Sequence, residues 1–207
     1  MRLRARRLVI LLDVDVGGLR FRFAGESDVA AVVGLVESCY RGDPSRLGWT
    51  TEADLLDGQR TDAREVIEIV RSPHGRLLLA DLPNGPTGAP AGCCQLEQRP
   101  DGTAYFGMFA VRPDLQGRGM GDAVRAEAER IAGREWGSHE MRLMVFPQRV
   151  ALIRWYARRG YHDTGRRVPF PYGDERYGIP KRPDLEFAVL AKRLAPACMS
   201  RGLGTTS

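Results

Sequence analysis

Residues 105–121 read Tyr-Phe-Gly-Met-Phe-Ala-Val-Arg-Pro-Asp-Leu-Gln-Gly-Arg-Gly-Met-Gly, and this stretch decides the fold. Its first half is largely apolar, as in a buried strand, and its second half carries alternating glycines just before a helical pattern. Glycines at such a junction let the backbone approach a ligand closely, and the N–H groups of the first helical turn then face an anion. The stretch therefore predicts a site for an anionic group such as pyrophosphate.

Two known glycine motifs do not account for this turn. A P-loop requires GxxxxGK[ST], and no Lys-Ser or Lys-Thr pair follows here. The dinucleotide fingerprint GxGxxG fits Gly117 and Gly119, but its third glycine falls on Asp122. A plain strand-to-helix turn rarely needs three alternating glycines, so a different anion site is favoured.

The segments on either side of the turn alternate between strand and helix patterns. Strands are predicted over residues 19–23, 77–80, 92–97, 104–111, 141–146 and 185–190, with one more from residue 161. Helices are predicted over residues 29–40, 51–56, 62–70, 119–134 and 150–159, and loops over 41–48, 84–90 and 168–183. This order predicts a single α/β domain.

Composition is that of an ordinary globular chain. The 207 residues are 43% hydrophobic and 28% charged, which argues against a disordered chain or a disulfide scaffold. The 31 basic residues exceed the 26 acidic ones by a net +5, which suggests an anionic partner without naming it.

Cysteine and histidine patterns predict no metal site. Cys39, Cys93, Cys94 and Cys198 contain no CxxC spacing, and His74, His139 and His162 are isolated from one another. The cysteines are expected to be buried thiols in a reducing compartment.

The two ends of the chain are expected to lie outside the domain. The apolar run of residues 8–12 is too short for a signal peptide, and no stretch approaches a membrane span, so a cytoplasmic location is predicted. Residues 1–18 fit an extra strand, a mobile arm or an upstream extension, and the sequence does not choose among these. The domain is assigned to residues 19–193 and a mobile tail to residues 194–207.

A family resemblance rests on two separated motifs. Gln116, Gly119 and Gly121 form Q-x-x-G-x-G after the strand YFGMFAVRP, and residues 141–161, MRLMVFPQRVALIRWYARRGY, follow downstream with Trp155-Tyr156 and Gly160-Tyr161. In these residues the chain resembles the GCN5-related N-acetyltransferase (GNAT) superfamily over residues 19–193. Residues 48–61 and 158–178 resemble a bacterial subgroup of it. The resemblance implies a mixed central sheet of six to seven strands with about four helices.

The resemblance also implies how acetyl-CoA is bound. The backbone of Phe109, Ala110 and Val111, on a strand that splays from its neighbour, would hold the pantetheine and thioester. The turn would hold the pyrophosphate through Gln116, Gly117, Arg118, Gly119, Met120 and Gly121. Two positions depart from the family pattern. Arg149 stands where Asn is frequent and is expected to contact the pantetheine or phosphates, and Asp122 adds a negative charge beside the turn.

Roles for the acceptor side are less specific. Tyr156 resembles the family's proton donor to the leaving thiolate, and its phenol is expected to act mainly as a hydrogen-bond donor. Glu52 is preferred as general base over Glu97 because the first helices form the acceptor site in this family. Tyr40, Trp49 and Phe170 are candidate residues of that acceptor site.

Charge patterning suggests the chemistry of the acceptor. Residues 43–65 hold three more acidic than basic side chains, so the rest of the chain carries about +8. This favours a cationic primary amine, such as a small amine, an antibiotic or a lysine side chain. Direct attack in a ternary complex is expected, because no histidine stands in a recognisable partner position for an acyl-enzyme on Cys93 or Cys94.

Two other functions remain open. A non-catalytic acyl-CoA sensor would share the fold and bind the cofactor without turnover. A nucleic-acid-binding module is suggested by the pI of about 9.3, but the basic residues are dispersed and form no stripe with aromatics. Neither a nucleic acid nor a membrane is an expected partner, and a homodimer is left open.

Overall fold

The computed structural model of the chain describes residues 12–16, 18–48, 51–83, 85 and 88–195. The strands are β1 (Leu12–Val16), β2 (Leu19–Phe23), β3 (Leu56–Asp57), β4 (Gly75–Asp81), β5 (Gly92–Gln98), β6 (Thr103–Val111), β7 (Glu140–Val145), β8 (His162–Pro169), β9 (Ile179–Pro180) and β10 (Glu186–Arg193). The α-helices are α1 (Val29–Tyr40), α2 (Gly42–Ser45), α3 (Ala63–Arg71), α4 (Met120–Arg130) and α5 (Val150–Ala157). The α/β fold with a mixed central sheet is confirmed.

The central sheet has eight strands in the order β1-β2-β4-β5-β6-β7-β10-β8. Only β6 and β7 pair in parallel, and the other neighbours are antiparallel. The sheet exceeds the predicted six to seven strands because β1 comes from the N-terminal stretch, for which an extra strand was one of three interpretations. Strands β3 and β9 form a separate two-stranded sheet.

Two apolar layers cover the central sheet because its strands alternate. In β4, Leu77 and Leu79 face a cluster with α1 and α3, whereas Leu78 and Ala80 face the larger cluster that includes α4 and α5. The sheet is therefore sandwiched between α1 and α3 on one side and α4 and α5 on the other. No helix of the described segments has the length and apolarity needed to cross a membrane.

The prediction of a short helix over residues 51–56 was wrong. Leu55 and Leu56 donate backbone hydrogen bonds to the Glu52 carbonyl at 2.8 and 2.9 Å, and Leu56 then enters β3 opposite Pro180. Tertiary packing determines the conformation of this segment, because Leu56 is buried against Phe146 and Phe170. Likewise, the predicted helix over residues 119–134 ends as a π-helical turn, Ile131–Glu135.

Candidate active site

A break in strand pairing opens the centre of the sheet. Strands β6 and β7 pair only through Thr103, Ala104 and Tyr105 among the described residues, although both strands continue further. On its other side β6 contains a bulge, because Cys93 pairs with Ala110 while Gln95 pairs with Gly107. The observed divergence matches the splay that the family resemblance implies.

Met108 carries the strain of the bulge. Its φ of +44° is the one positive value at a non-glycine residue in the described chain. Residues held in this region cost about 1–3 kcal/mol and persist where the surroundings fix them, typically at functional sites. Three side chains hold the carbonyls here: the Tyr40 hydroxyl donates to Phe109, the Cys39 thiol to Val111 at 3.3 Å and the Cys93 thiol to Met108 at 3.6 Å.

The glycine turn lies at the end of β6. Gly117 and Gly119 have φ of +79° and +83°, which only glycine adopts at low cost, and Gly119 is the N-cap of α4. The first N–H groups of a helix have no intrahelical partner, and no side chain caps α4. They adjoin a cavity of about 280 Å³ that is lined by Phe109, Val111, Gln116, Gly117, Gly119, Gly121, Asp122, Trp155 and Arg159.

The residues of the turn contribute in different ways. A Cβ at Gly121 would stand 3.3 Å from the Phe109 ring, so a glycine lets helix and ring approach. Gln116 folds back and donates to the Val111 carbonyl at 2.9 Å. The Met120 side chain is buried in the core, which leaves its backbone for a ligand, and Arg118 is exposed beside a neighbouring cavity.

The negative charge of Asp122 is paired within the protein. Arg159 donates to both carboxylate oxygens, and this ion pair, which the sequence did not predict, holds the pKa of Asp122 below its ordinary value. The Arg159 guanidinium lies 3.8 Å from the centre of the Trp155 ring. The turn cavity therefore gains a positive group that offsets the carboxylate.

A second, central cavity of about 160 Å³ occupies the opening between β6 and β7. It brings together Tyr40, Glu52, Phe109, Tyr156 and Phe170, five residues that the sequence assigned to the site from separate segments. Phe170 is buried and packs with Phe146 and Phe187 at ring distances of 6.1 Å each. Trp49 lies outside the described residues, and Ala110 is buried in the core beside α1.

Glu52 does not have the surroundings of a general base. Its carboxylate accepts from Arg41 at 2.9 Å and from Arg149 at 3.1 Å, and all three side chains are at least nine-tenths buried. Burial alone would raise the pKa of Glu52, but Arg149, Arg60 and Arg41 outweigh it and hold that pKa below its ordinary value. A carboxylate with a lowered pKa is a weaker base, which argues against general-base catalysis by Glu52. Its ion pairs with Arg41 and Arg149 support a role in positioning these two arginines. Glu97, the other candidate, lines a different surface cavity.

Arg149 lies in the central cavity, apart from the lining of the glycine turn. Besides its ion pair with Glu52, its guanidinium stands 5.8 Å from the Tyr40 ring. Arg149 is absent from the lining of the turn cavity, so of its two predicted contacts the pantetheine fits its place better than the phosphates.

Tyr156 presents a hydroxyl to the central cavity. Its ring packs edge-on against Trp155 and Tyr161, and in the described part of the chain the hydroxyl has no hydrogen-bond partner. Burial raises the pKa of Tyr156 well above its ordinary value, so the phenol keeps its proton. A protonated, unengaged hydroxyl in a cavity is a suitable hydrogen-bond donor.

Sequence reasoning missed Arg41 and Arg60 as residues of the cavity. Both line it, and Arg60 stands 5.4 Å from the Tyr40 ring. The acidic count over residues 43–65 gave the wrong local charge, because Asp43, Asp54 and Asp57 are exposed and only Glu52 and Glu65 face the cavity. These two arginines are identified as cavity residues only from the folded structure, because no sequence motif surrounds them.

The buried cysteines are poor candidates for a nucleophile. Burial raises the pKa of Cys39 to about 11 and that of Cys93 to about 12, and the pKa of Cys94 is raised as well. A thiol with so high a pKa is a poor nucleophile at neutral pH. Within the described ranges, no group of three or more metal-binding side chains lies together.

The left-handed turn can be tested through stability. Replacing Gly119 with Ala is expected to lower the free energy of unfolding by about 1–2 kcal/mol, because its φ is +83° and a side chain resists that conformation. Gly34→Ala is the matched control, since Gly34 lies in α1 with open space around a Cβ, and about 0.5–1 kcal/mol of stabilisation is expected there. Urea unfolding measures the free energy of unfolding of both variants. The same change in that free energy for Gly119→Ala and Gly34→Ala would contradict the left-handed conformation of Gly119.

A comparison with protein-family models agrees with the fold. A family model described as the acetyltransferase (GNAT) family matches residues 43–161, which is more than half of the chain. The chain therefore belongs to this family, as the glycine turn and the downstream motif predicted.

Solved structures share the fold at low sequence identity. The ribosomal-protein-S18-alanine N-acetyltransferase from Escherichia coli is 13% identical, with a TM-score of 0.61 over 88% of this chain and 97% of that one. A GNAT-family acetyltransferase from Staphylococcus aureus is 12% identical, with a TM-score of 0.58 over 86% and 99%. A Salmonella typhimurium protein solved with its cofactor acetyl-CoA is 19% identical, with a TM-score of 0.60 over 86% and 94%. None of the curated proteins compared matches the chain.

Proposed function

We propose that the chain transfers the acetyl group of acetyl-CoA to a primary amine by direct attack in a ternary complex. The observation that carries the proposal is that Phe109 lines both the turn cavity and the central cavity. A donor held along the turn and an acceptor in the central cavity would therefore meet at the bulge. The buried cysteines, with raised pKa values, favour this route over an acyl-enzyme.

The turn and the bulge fit the donor. Backbone N–H groups of Gly117, Gly119, Met120 and Gly121 would bind the pyrophosphate, with Gln116 and Arg118 beside them. The backbone of Phe109, Ala110 and Val111 would bind the pantetheine. Open space around a Cβ at Gly117 and at Gly119 leaves room for this group. Bound acetyl-CoA would supply an activated thioester carbonyl.

Three features of the chain then act on the reaction. Backbone N–H groups at the bulge would stabilise the negative charge that develops on the carbonyl oxygen. Tyr156 would donate a hydrogen bond to the leaving sulfur. Transfer of the amine from water into the central cavity would lower the pKa of its ammonium form, which favours the neutral, nucleophilic amine without a strong base.

The sequence prediction of a cytoplasmic enzyme is part of this proposal, with one domain over residues 19–193 to which β1 adds an edge strand. So is a small-molecule or peptide acceptor. A cavity of about 160 Å³ favours the small molecule, since sites for drug-sized ligands start at about 300 Å³.

Calorimetric titration with acetyl-CoA, followed by thiol release against a panel of primary amines, tests the proposal. Saturable binding and amine-dependent thiol release are expected. Absence of acetyl-CoA binding would contradict the donor site. Binding without release on any amine would instead favour a non-catalytic acyl-CoA sensor.

A further inference from the structure

The central cavity contains more positive than negative side chains. Arg41, Arg60 and Arg149 line it, against Glu52 and Glu65. Arg41 and Arg149 share the Glu52 carboxylate at 2.9 and 3.1 Å. Glu65 accepts a hydrogen bond from the Thr61 hydroxyl at 2.7 Å. The lining therefore holds one more positive than negative side chain, and of its three arginines Arg60 is the one without an ion pair among the described residues.

Arg60 has no carboxylate at ion-pairing distance in the part of the chain that the structure describes. The Arg60 backbone N–H donates to the Glu37 carboxylate at 2.6 Å, and the guanidinium carbon stands 5.4 Å from the centre of the Tyr40 ring. Burial alone would lower the pKa of Arg60, but Glu52 and Glu65 act on it from beyond ion-pairing distance, raise that pKa and keep the guanidinium charged. Burial raises the pKa of both Tyr40 and Tyr105, so the phenols that line the same cavity stay neutral and cannot balance the charge. A cation in an aromatic cavity loses solvation and is stabilised by an anionic partner.

We propose that the acceptor amine carries an anionic oxygen group, and that this group binds Arg60. The proposal rests on the proposed acetyl transfer and names its substrate class: small amines with a carboxylate or a phosphorus oxyanion, as in amino acids and aminophosphonates. It replaces the cationic acceptor that the acidic count over residues 43–65 favoured.

The geometry lets one small molecule satisfy both ends of the site. Tyr40 links them, because its ring faces Arg60 while its hydroxyl donates to the Phe109 carbonyl at the bulge. An anion at Arg60 thus leaves the amine of the same small molecule near the donor strand. A guanidinium also forms paired hydrogen bonds with a carboxylate or phosphonate, which a lysine could not match.

Matched acceptor pairs test the charge requirement. Thiol release is measured with L-amino acids against their carboxamides, with 2-aminoethylphosphonate against ethanolamine, and with putrescine as the cationic probe. The acid of at least one pair is expected to exceed its neutral partner by roughly 10- to 100-fold in kcat/KM, the range of a charge-assisted hydrogen bond. The amino acid pair reports on recognition of a carboxylate, and the 2-aminoethylphosphonate pair reports on recognition of a phosphonate. Equal rates within both pairs, or preference for putrescine, would overturn the proposal.

Variants of Arg60 assign the effect to this residue. Arg60→Gln is expected to raise KM for the preferred acid by roughly 10- to 100-fold, with little change for its neutral partner and none in acetyl-CoA affinity. Arg60→Lys should recover part of the loss because it keeps the charge. Arg64→Gln is the control, since its side chain is 81% exposed and pairs with Glu68. Equal losses on acid and neutral acceptors would contradict a binding role for Arg60.

A binding measurement distinguishes failure of the proposed acetyl transfer from failure of the proposed anion site at Arg60. If acetyl-CoA binds but no amine is turned over, thermal shifts of wild type and Arg60→Gln with the same probe pairs still measure anion preference. Stabilisation of wild type alone by the acids would then support the Arg60 site while the acetyl transfer fails. Absence of any acid-specific shift and of any acid-specific turnover overturns the anionic acceptor.

Discussion

Tyr156→Phe is expected to lower kcat by about 10²-fold or more while leaving the free energy of unfolding nearly unchanged, because a positioned hydrogen-bond donor to developing negative charge contributes on that scale. The hydroxyl faces the central cavity and has no hydrogen-bond partner among the residues that the structure describes, so its removal orphans no other group. The raised pKa keeps the phenol protonated, so the loss should persist across neutral pH. Steady-state kinetics with the best acceptor measures it.

Tyr161→Phe is the matched control for that variant. The Tyr161 hydroxyl contacts the Glu129 carboxylate at 3.0 Å, and Tyr161 does not line the central cavity. This variant should lose stability, by about 1.5–3 kcal/mol as for a hydrogen bond to a charged group, and keep its kcat. A Tyr156→Phe enzyme with unchanged kcat would contradict the donor role, and equal kcat losses in both variants would point to general disruption.

Glu52→Gln is expected to lower the free energy of unfolding by about 3–5 kcal/mol, the cost of breaking a buried ion pair from one side. The amide keeps the shape of the side chain but leaves Arg41 and Arg149 without their shared carboxylate. Asp54→Asn is the control, because Asp54 pairs with Arg46 at 2.9 Å on the surface, where such pairs contribute about 0–1 kcal/mol. Denaturant unfolding of both variants compares them, and similar losses would contradict the buried pair.

The same variant predicts a pH dependence with a definite sign. The folded-state pKa of Glu52 lies below its ordinary value of 4.5, so its stabilising effect is present above pH 4.5 and is lost as pH falls through the folded pKa. The stability difference between wild type and Glu52→Gln should therefore shrink on acidification. A difference that stays constant from pH 7 to the acid limit would contradict a charged Glu52 in the folded protein.

The sequence predicted the parts of the site that depend on backbone chemistry. Gly117 and Gly119 form a turn that other residues adopt only with strain. Their spacing therefore predicted where the turn lies and where α4 begins. The largely apolar stretch before the turn likewise predicted β6. These features are local, because they depend on the conformations available to a few adjacent residues.

The charges of the site could not be predicted in this way. Glu52 and Arg149 are 97 residues apart in the chain and become partners only when α5 packs beside the opening. Arg60 reads as a surface charge next to Asp57 and Asp62, yet it lines the cavity while Asp57 is exposed. The strain at Met108 also has no sequence signal, since no glycine marks that position.

The divergence of β6 from β7 gives this protein a sheet edge in its interior. Backbone groups beyond Tyr105 face an opening where a neighbouring strand would otherwise stand, and no further β6–β7 pair forms in the described chain. On a molecular surface, such an edge invites pairing with other chains and aggregation. Here Phe146, Phe170 and Phe187 on one side and Tyr40 on the other enclose it. The chain thus keeps unpaired strand backbone in a place where the surrounding side chains hinder pairing with another protein.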